Sequence, residues 1–143
     1  MDTLTAPSPS TIIAEIHELF RRYGSAFADL ANGSRSDMNA LLEFYGAPLR
    51  FIGRTFHMVM KDDDAITSEE GIGGEIRKLR RACFAGSTLD KCEINVLNAR
   101  AALVDAVWLR HDRAGTLTRF SVKYLVARTP AGWRITSVVD VSA

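Results

Sequence analysis

Residues 89–140, LDKCEINVLNARAALVDAVWLRHDRAGTLTRFSVKYLVARTPAGWRITSVVD, decide the fold. They read as four consecutive strands. Residues 89–98 alternate, with Lys91, Glu93 and Asn95 on one face and Cys92, Ile94 and Val96 on the other. Residues 101–111 carry Ala102, Val104, Ala106 and Trp108 opposite Leu103, Val107 and Leu109. A strand apolar on both faces is covered on both, or has a partner on its second side. Asp112 to Gly115 supply a turn. Residues 117–129 are rich in β-branched and aromatic side chains, and Pro130-Ala131-Gly132 leads tightly into a last strand at 133–140. Strands joined by such short links favour an antiparallel meander.

Outward from that stretch, the first 85 residues read mostly as helices able to cover the sheet. Ser8-Pro9 has the form of a helix cap followed by proline at the first helical position, where the missing N–H costs nothing. Ile12, Ile16, Leu19, Phe20, Tyr23, Phe27 and Leu30 then recur at helical spacing, and Asn32-Gly33 marks the end. Ser36 is the expected cap of a short second helix carrying Leu41, Leu42 and Phe44, broken by Gly46-Ala47-Pro48. Residues 49–52 and 55–60 read as two short strands, and Lys61 to Asp64 as a solvated turn. Thr67 and Glu70 have capping-box spacing before a third helix with Ile72, Ile76, Leu79 and Cys83 on one face. Arg77, Lys78, Arg80 and Arg81 form its charged face, and Gly86 is its expected end. The glycines of Gly71-Ile72-Gly73-Gly74 each weaken a helix by about 1 kcal/mol, which suggests a flexible lip or a poor helix start.

A chain of 143 residues is expected to form one domain with a real core. Residues 1–8 are the expected flexible tail and 9–143 the single domain. A formal net charge of +1 gives no reason to expect a nucleic-acid or anionic-membrane surface. The first ten residues lack a basic and apolar leader pattern. The longest apolar run, 101–109, is interrupted by Asp105 and too short to span a bilayer. The expected location is the cytoplasm. Cys83 and Cys92 fit no metal or redox spacing and are expected as free thiols. His17, His57 and His111 are scattered, so no metal site and no cofactor are expected.

The order of a long helix, a short helix, two short strands, a third helix and four strands resembles the NTF2-like superfamily. Local features agree: the first helix ending at Ala31-Asn32-Gly33, the break Phe44-Tyr45-Gly46-Ala47-Pro48, and the run from Tyr124 through Thr129-Pro130-Ala131-Gly132 to Trp133-Arg134-Ile135. The resemblance covers residues 9–141. It implies an α+β cone in which three N-terminal helices pack on a strongly curved, mostly antiparallel sheet around an apolar pocket. It also implies a homodimer joined through the outer face of the sheet, which would cover the second apolar face of 101–109. Enzymes of the superfamily include ketosteroid isomerase, SnoaL-type polyketide cyclases, scytalone dehydratase and limonene-epoxide hydrolase. Other members have no catalytic role, so fold alone does not select a function.

The catalytic groups of those enzymes are only partly present. The place of the oxyanion-binding tyrosine of ketosteroid isomerase falls on Phe27, and that of its carboxylate base near Ile52; neither can do the chemistry. Of the Arg-x-Asp and second aspartate of the epoxide hydrolase, Asp105 and Asp140 remain, while leucine (Leu103) replaces the arginine. Asp105 carries most weight by chemistry alone, since a carboxylate within an apolar strand is costly unless paired and is a natural acid/base candidate. A cross-strand pair with Lys123 or Arg119, or a place at the dimer contact, is the structural alternative. The expected acid–base set is therefore Asp105, with Asp140 or His57. The expected pocket wall is Tyr23, Phe27, Tyr45, Phe51, Trp108 and Tyr124. Two functions fit: a cofactor-free isomerase, cyclase, dehydratase or epoxide hydrolase acting on a small hydrophobic molecule, or a non-catalytic module binding a small ligand or a protein.

Overall fold

The computed structural model describes residues 7–142. Most of the expected tail, residues 1–6, lies outside the described residues, and Ser8 already belongs to the cap of the first helix. That helix, α1 (Pro9–Ala31), begins where the Ser8 side chain accepts from the Thr11 N–H at 3.2 Å. Its stripe of Ile12, Ile16, Leu19, Phe20, Tyr23, Ala26 and Leu30 is buried against the sheet. A short 3₁₀ helix follows (Met38–Glu43), capped by Asp37 rather than Ser36: the carboxylate accepts from the Asn39 N–H at 3.0 Å.

Next come strands β1 (Tyr45–Ile52) and β2 (His57–Met60), helices α2 (Asp63–Thr67) and α3 (Ile72–Arg81), and strands β3 (Phe84–Asn98), β4 (Ala101–Asp112), β5 (Leu117–Thr129) and β6 (Gly132–Asp140). The sheet order is β2-β1-β6-β5-β4-β3. All pairings are antiparallel except β1 with β6, which is parallel. The last four strands thus form the expected meander, and β1 returns beside the final strand to make the sheet mixed.

Three local expectations are corrected. Gly46-Ala47-Pro48 does not break a helix but lies within β1, with a cis Ala47–Pro48 peptide. Pro48 falls where the β1–β6 register is irregular, between Tyr45 and Arg50, so its missing N–H removes no ladder bond there. Asp62 is no mere solvated turn residue: its side chain accepts from the Ala65 N–H at 2.8 Å and starts α2, leaving Thr67 at that helix's end instead of capping α3. The third helix stops at Arg81, ahead of Gly86, through Cys83 at φ +62°.

The Gly71–Gly74 segment is a packed joint and no loose lip. A Cβ on Gly73 would stand 2.1 Å from the Thr67 carbonyl oxygen, and one on Gly74 1.8 Å from that of Glu69. Only hydrogen at those positions lets α3 start this close to the end of α2. Across the helix, Arg80 is half-buried and bonded to α1 rather than free in solvent. Its Nε and Nη2 donate to the Leu30 carbonyl oxygen at 3.2 and 2.5 Å, tying α3 to the C-terminal end of α1, where unpaired carbonyls favour a cation.

Candidate functional site

The core side of the sheet follows from strand parity. Along β4, Ala102, Val104, Ala106 and Trp108 are buried while Leu103 is 43% exposed. The same side of β5 carries Phe120, Val122, Tyr124 and Val126, by the pairings Ala106 to Val122 and Val104 to Tyr124. Between this surface, α1 and α3 is a cavity of about 350 Å³. Tyr23 and Phe27 enter it from α1, Tyr45 and Phe51 from β1, and Phe120 and Tyr124 from β5. Ile72, Leu79 and Ala82 close the side formed by α3, which the Arg80 tie holds in place. Phe56, 42% exposed after the turn that follows β1, adds to the lining with its ring 5.4 Å from that of Phe51.

All three tyrosines of the chain line this cavity. The hydroxyls of Tyr23 and Tyr45 lie 2.6 Å apart, and the Trp108 indole N–H donates to the Tyr124 hydroxyl at 2.9 Å. Burial pushes all three phenols above the ordinary tyrosine range, and the charge of a neighbouring tyrosine adds to each shift. The positive charge of Arg110 opposes each shift in part. At neutral pH these groups are hydrogen-bond donors and acceptors, not bases. Trp108 reaches Tyr124 because it presses on Gly24 of α1, where an added Cβ would lie 2.9 Å from the indole ring.

Four charged side chains also line the cavity: Glu75 and Lys78 on α3, Arg110 on β4 and Asp140 on β6. Lys78 lies 3.6 Å from Glu75. Asp140 accepts from the Ser142 N–H at 2.9 Å. The Arg110 guanidinium carbon lies over the Phe120 ring, 4.2 Å from its centre, and 5.8 Å from the centre of Phe27. An aromatic chamber with neutral hydroxyls, one carboxylate on its last strand and one guanidinium beside its rings can hold a small ring or chain and hydrogen-bond to it.

A family model described as NTF2-like protein (DUF6841) matches residues 14–143. The chain belongs to this family. Solved structures share the fold. An NTF2-like protein with a cystatin-like fold from Novosphingobium aromaticivorans is 23% identical, with 93% of this chain and 88% of that one covered at a TM-score of 0.62. An NTF2-like protein of unknown function from Shewanella oneidensis is 18% identical, with 90% and 97% covered and a TM-score of 0.65. One from Pseudomonas putida, also of unknown function, is 13% identical, with 96% and 90% covered and a TM-score of 0.69. No curated protein matches the chain. At these identities the likeness is one of NTF2-like architecture, and chemistry has to be argued from this chain's own side chains.

On that basis the expected acid–base set comes apart. Asp105 stands on the face of β4 opposite Val104 and Ala106, away from the cavity, and its carboxylate takes the Lys123 ammonium at 2.6 Å. The two residues are direct cross-strand partners, so the pairing follows from register. His57 is exposed on β2, with its Nε2 3.1 Å from Arg50 Nη1, and does not line the cavity. Asp140 alone of the three does. Of the expected wall, Tyr23, Phe27, Tyr45, Phe51 and Tyr124 line the cavity, and Trp108 lies behind Tyr124 as its donor. Sequence reading missed Arg110, Glu75, Lys78, Phe56 and Phe120. Arg110 was within reach, since it continues the inward row Ala102, Val104, Ala106, Trp108 by parity.

No helix among the described residues is long and apolar enough to cross a membrane.

Proposed function

We propose that the cavity binds a small, largely apolar molecule that hydrogen-bonds to the tyrosine hydroxyls. The observation that carries this reading is a chamber of about 350 Å³, open between aromatic walls, that gathers every tyrosine of the chain. A core built only for stability closes such space, because unfilled volume is destabilising. The volume lies at the lower end for small-molecule sites, and the mix of apolar wall with a few polar groups is their usual make-up. The test is a thermal-shift and calorimetric series with neutral bicyclic aromatics such as 2-naphthamide, 2-naphthol and indole. Binding at one hundred times Kd stabilises by about 2.7 kcal/mol, several degrees in Tm for a chain of this size. Val138→Trp, which fills the chamber, should abolish the effect; shifts unchanged in that variant would overturn the reading.

Asp140 favours a second reading within the same site, cofactor-free acid–base turnover of the bound molecule, as in an isomerase, cyclase, dehydratase or epoxide hydrolase of SnoaL-like kind. Its carboxylate would move the proton, and the neutral phenols would donate to the developing oxyanion. Asp140→Asn separates the two: binding without turnover in the variant supports catalysis, while wild-type protein that binds without converting any ligand supports a carrier or sensor.

The outer face supports a homodimer. Leu103 is 43% exposed there, on the same side of β4 as Val107 and Leu109, with Leu125 beside it on β5. Light scattering should give twice the chain mass, and Leu103→Glu should give the single-chain mass.

A further inference from the structure

Of the two cations that line the chamber, Lys78 pairs with Glu75 at 3.6 Å, and Arg110 is left unused by the binding of a neutral apolar molecule. Arg110 is half-buried at the end of the inward row of β4 and, among the described residues, forms no ion pair and no side-chain hydrogen bond. Its immediate neighbours are aromatic rings: the centre of Phe120 lies 4.2 Å and that of Phe27 5.8 Å from the guanidinium carbon. A cation–π contact consumes no N–H donor, so the guanidinium fork is left without a partner among the described residues. The planar guanidinium fork matches a carboxylate through two parallel hydrogen bonds.

The nearby carboxylates do not serve as its partner. Glu75 is engaged by Lys78 at 3.6 Å. Asp140 sits opposite Val122, and Val122 opposite Ala106, four residues from Arg110 on β4. Four residues and two strand spacings in the sheet separate the two backbones by roughly 16 Å. No ion pair joins Arg110 and Asp140 among the described residues, so the lining carries a guanidinium beside Phe120 and a carboxylate at the end of β6 that do not neutralise each other, with the tyrosine hydroxyls on the same lining.

We propose that the ligand is an apolar ring acid: its carboxylate engages the Arg110 fork, and its ring body fills the aromatic chamber. The inference rests on the cavity being a ligand site, and it adds the charge and class of the ligand. Phe27 and Phe120 position the guanidinium, and Asp140 disfavours the reverse orientation by repelling the carboxylate.

The test is calorimetric titration of the full chain with 2-naphthoate and its neutral counterpart 2-naphthamide, on wild type and Arg110→Gln. The expected result is naphthoate tighter than the amide by roughly 10- to 100-fold, the range of charge-assisted pairs. In Arg110→Gln that preference should vanish, and continued binding of the amide at any affinity reports an intact chamber. Should the glutamine variant lose the amide too, Arg110→Lys carries the test: it keeps the charge without the fork and should lose most of the preference. Equal wild-type affinities for acid and amide would overturn the carboxylate assignment and leave the cavity reading standing. The same holds for a preference that survives both substitutions. Tighter binding of 2-naphthyl phosphate than of naphthoate would overturn it in favour of a phosphate ester. Binding of none of these probes would overturn the inference together with the reading beneath it.

Discussion

The Trp108 indole nitrogen lies 2.9 Å from the Tyr124 hydroxyl oxygen, joining neighbouring strands β4 and β5 by a side-chain bond between two buried residues. Both residues are expected in the pocket wall from the sequence, but the bond that joins them is visible only in the fold, and it fixes one wall of the cavity. Tyr124→Phe removes the acceptor and leaves a buried N–H unpaired. The expected loss is about 1–3 kcal/mol in denaturant unfolding, with a changed Trp108 emission. Trp108→Phe, which removes donor and indole together, leaves Tyr124 a neighbour without its donor and should alter the tyrosine environment in near-UV CD.

The pH dependence of stability follows from the buried phenols. Their folded-state pKa values are raised above the unfolded value by burial, so the stability linked to them is fully present below about pH 10, where the phenols of the unfolded chain are still protonated. Above that pH the unfolded chain releases protons that the folded chain retains, and stability falls as pH rises toward the folded-state values. All tyrosines of the chain are in this group, so tyrosinate absorbance should appear together with alkaline unfolding by CD. A tyrosinate signal near pH 10 in a chain that stays folded would contradict the burial argument.

On the outer face, Lys123 and Asp105 form a pair whose side chains remain 57% and 45% exposed. Exposed pairs contribute at most about 1 kcal/mol. Asp105→Asn should therefore change unfolding free energy by less than that and leave affinity for neutral cavity ligands unaltered, as measured by urea titration and calorimetry.

Gly73 separates helix propensity from packing. Glycine to alanine within a helix stabilises by up to about 1 kcal/mol on propensity alone. At Gly73 the new Cβ would meet the Thr67 carbonyl oxygen at 2.1 Å, backbone that has no room to give. Gly73→Ala is expected to destabilise by about 1–3 kcal/mol, read as a fall in the urea midpoint.

Much of the architecture was legible because the signals were periodic. The α1 stripe and the four late strands are long enough for alternation to fix type and approximate ends. What failed was local. Pro48 reads as a breaker, but it occupies an irregular part of the β1–β6 ladder that only the returning parallel strand creates. Asp37 displaces the adjacent Ser36 as a cap because two acceptors stand side by side and only geometry selects one, while Asp62 starts a short helix that takes in Thr67, and α3 begins after Gly71 without a side-chain cap. The site was legible in its aromatics and not in its charges. Asp105 looks buried from its neighbours, since Leu103 and Val107 are apolar, yet parity sends it outward to Lys123. Arg110 reads as a strand end near a turn, and only the fold puts Phe27 and Phe120 around it.

The most direct test of the central claim is NMR shift mapping of the full chain with 2-naphthamide, followed by ligand-to-protein NOEs. The account predicts NOEs to the rings of Tyr23, Phe51, Phe120 and Tyr124, and no shifts at Leu103 or Leu125 on the outer face. Shifts confined to the outer face, or none at saturating probe, would contradict it.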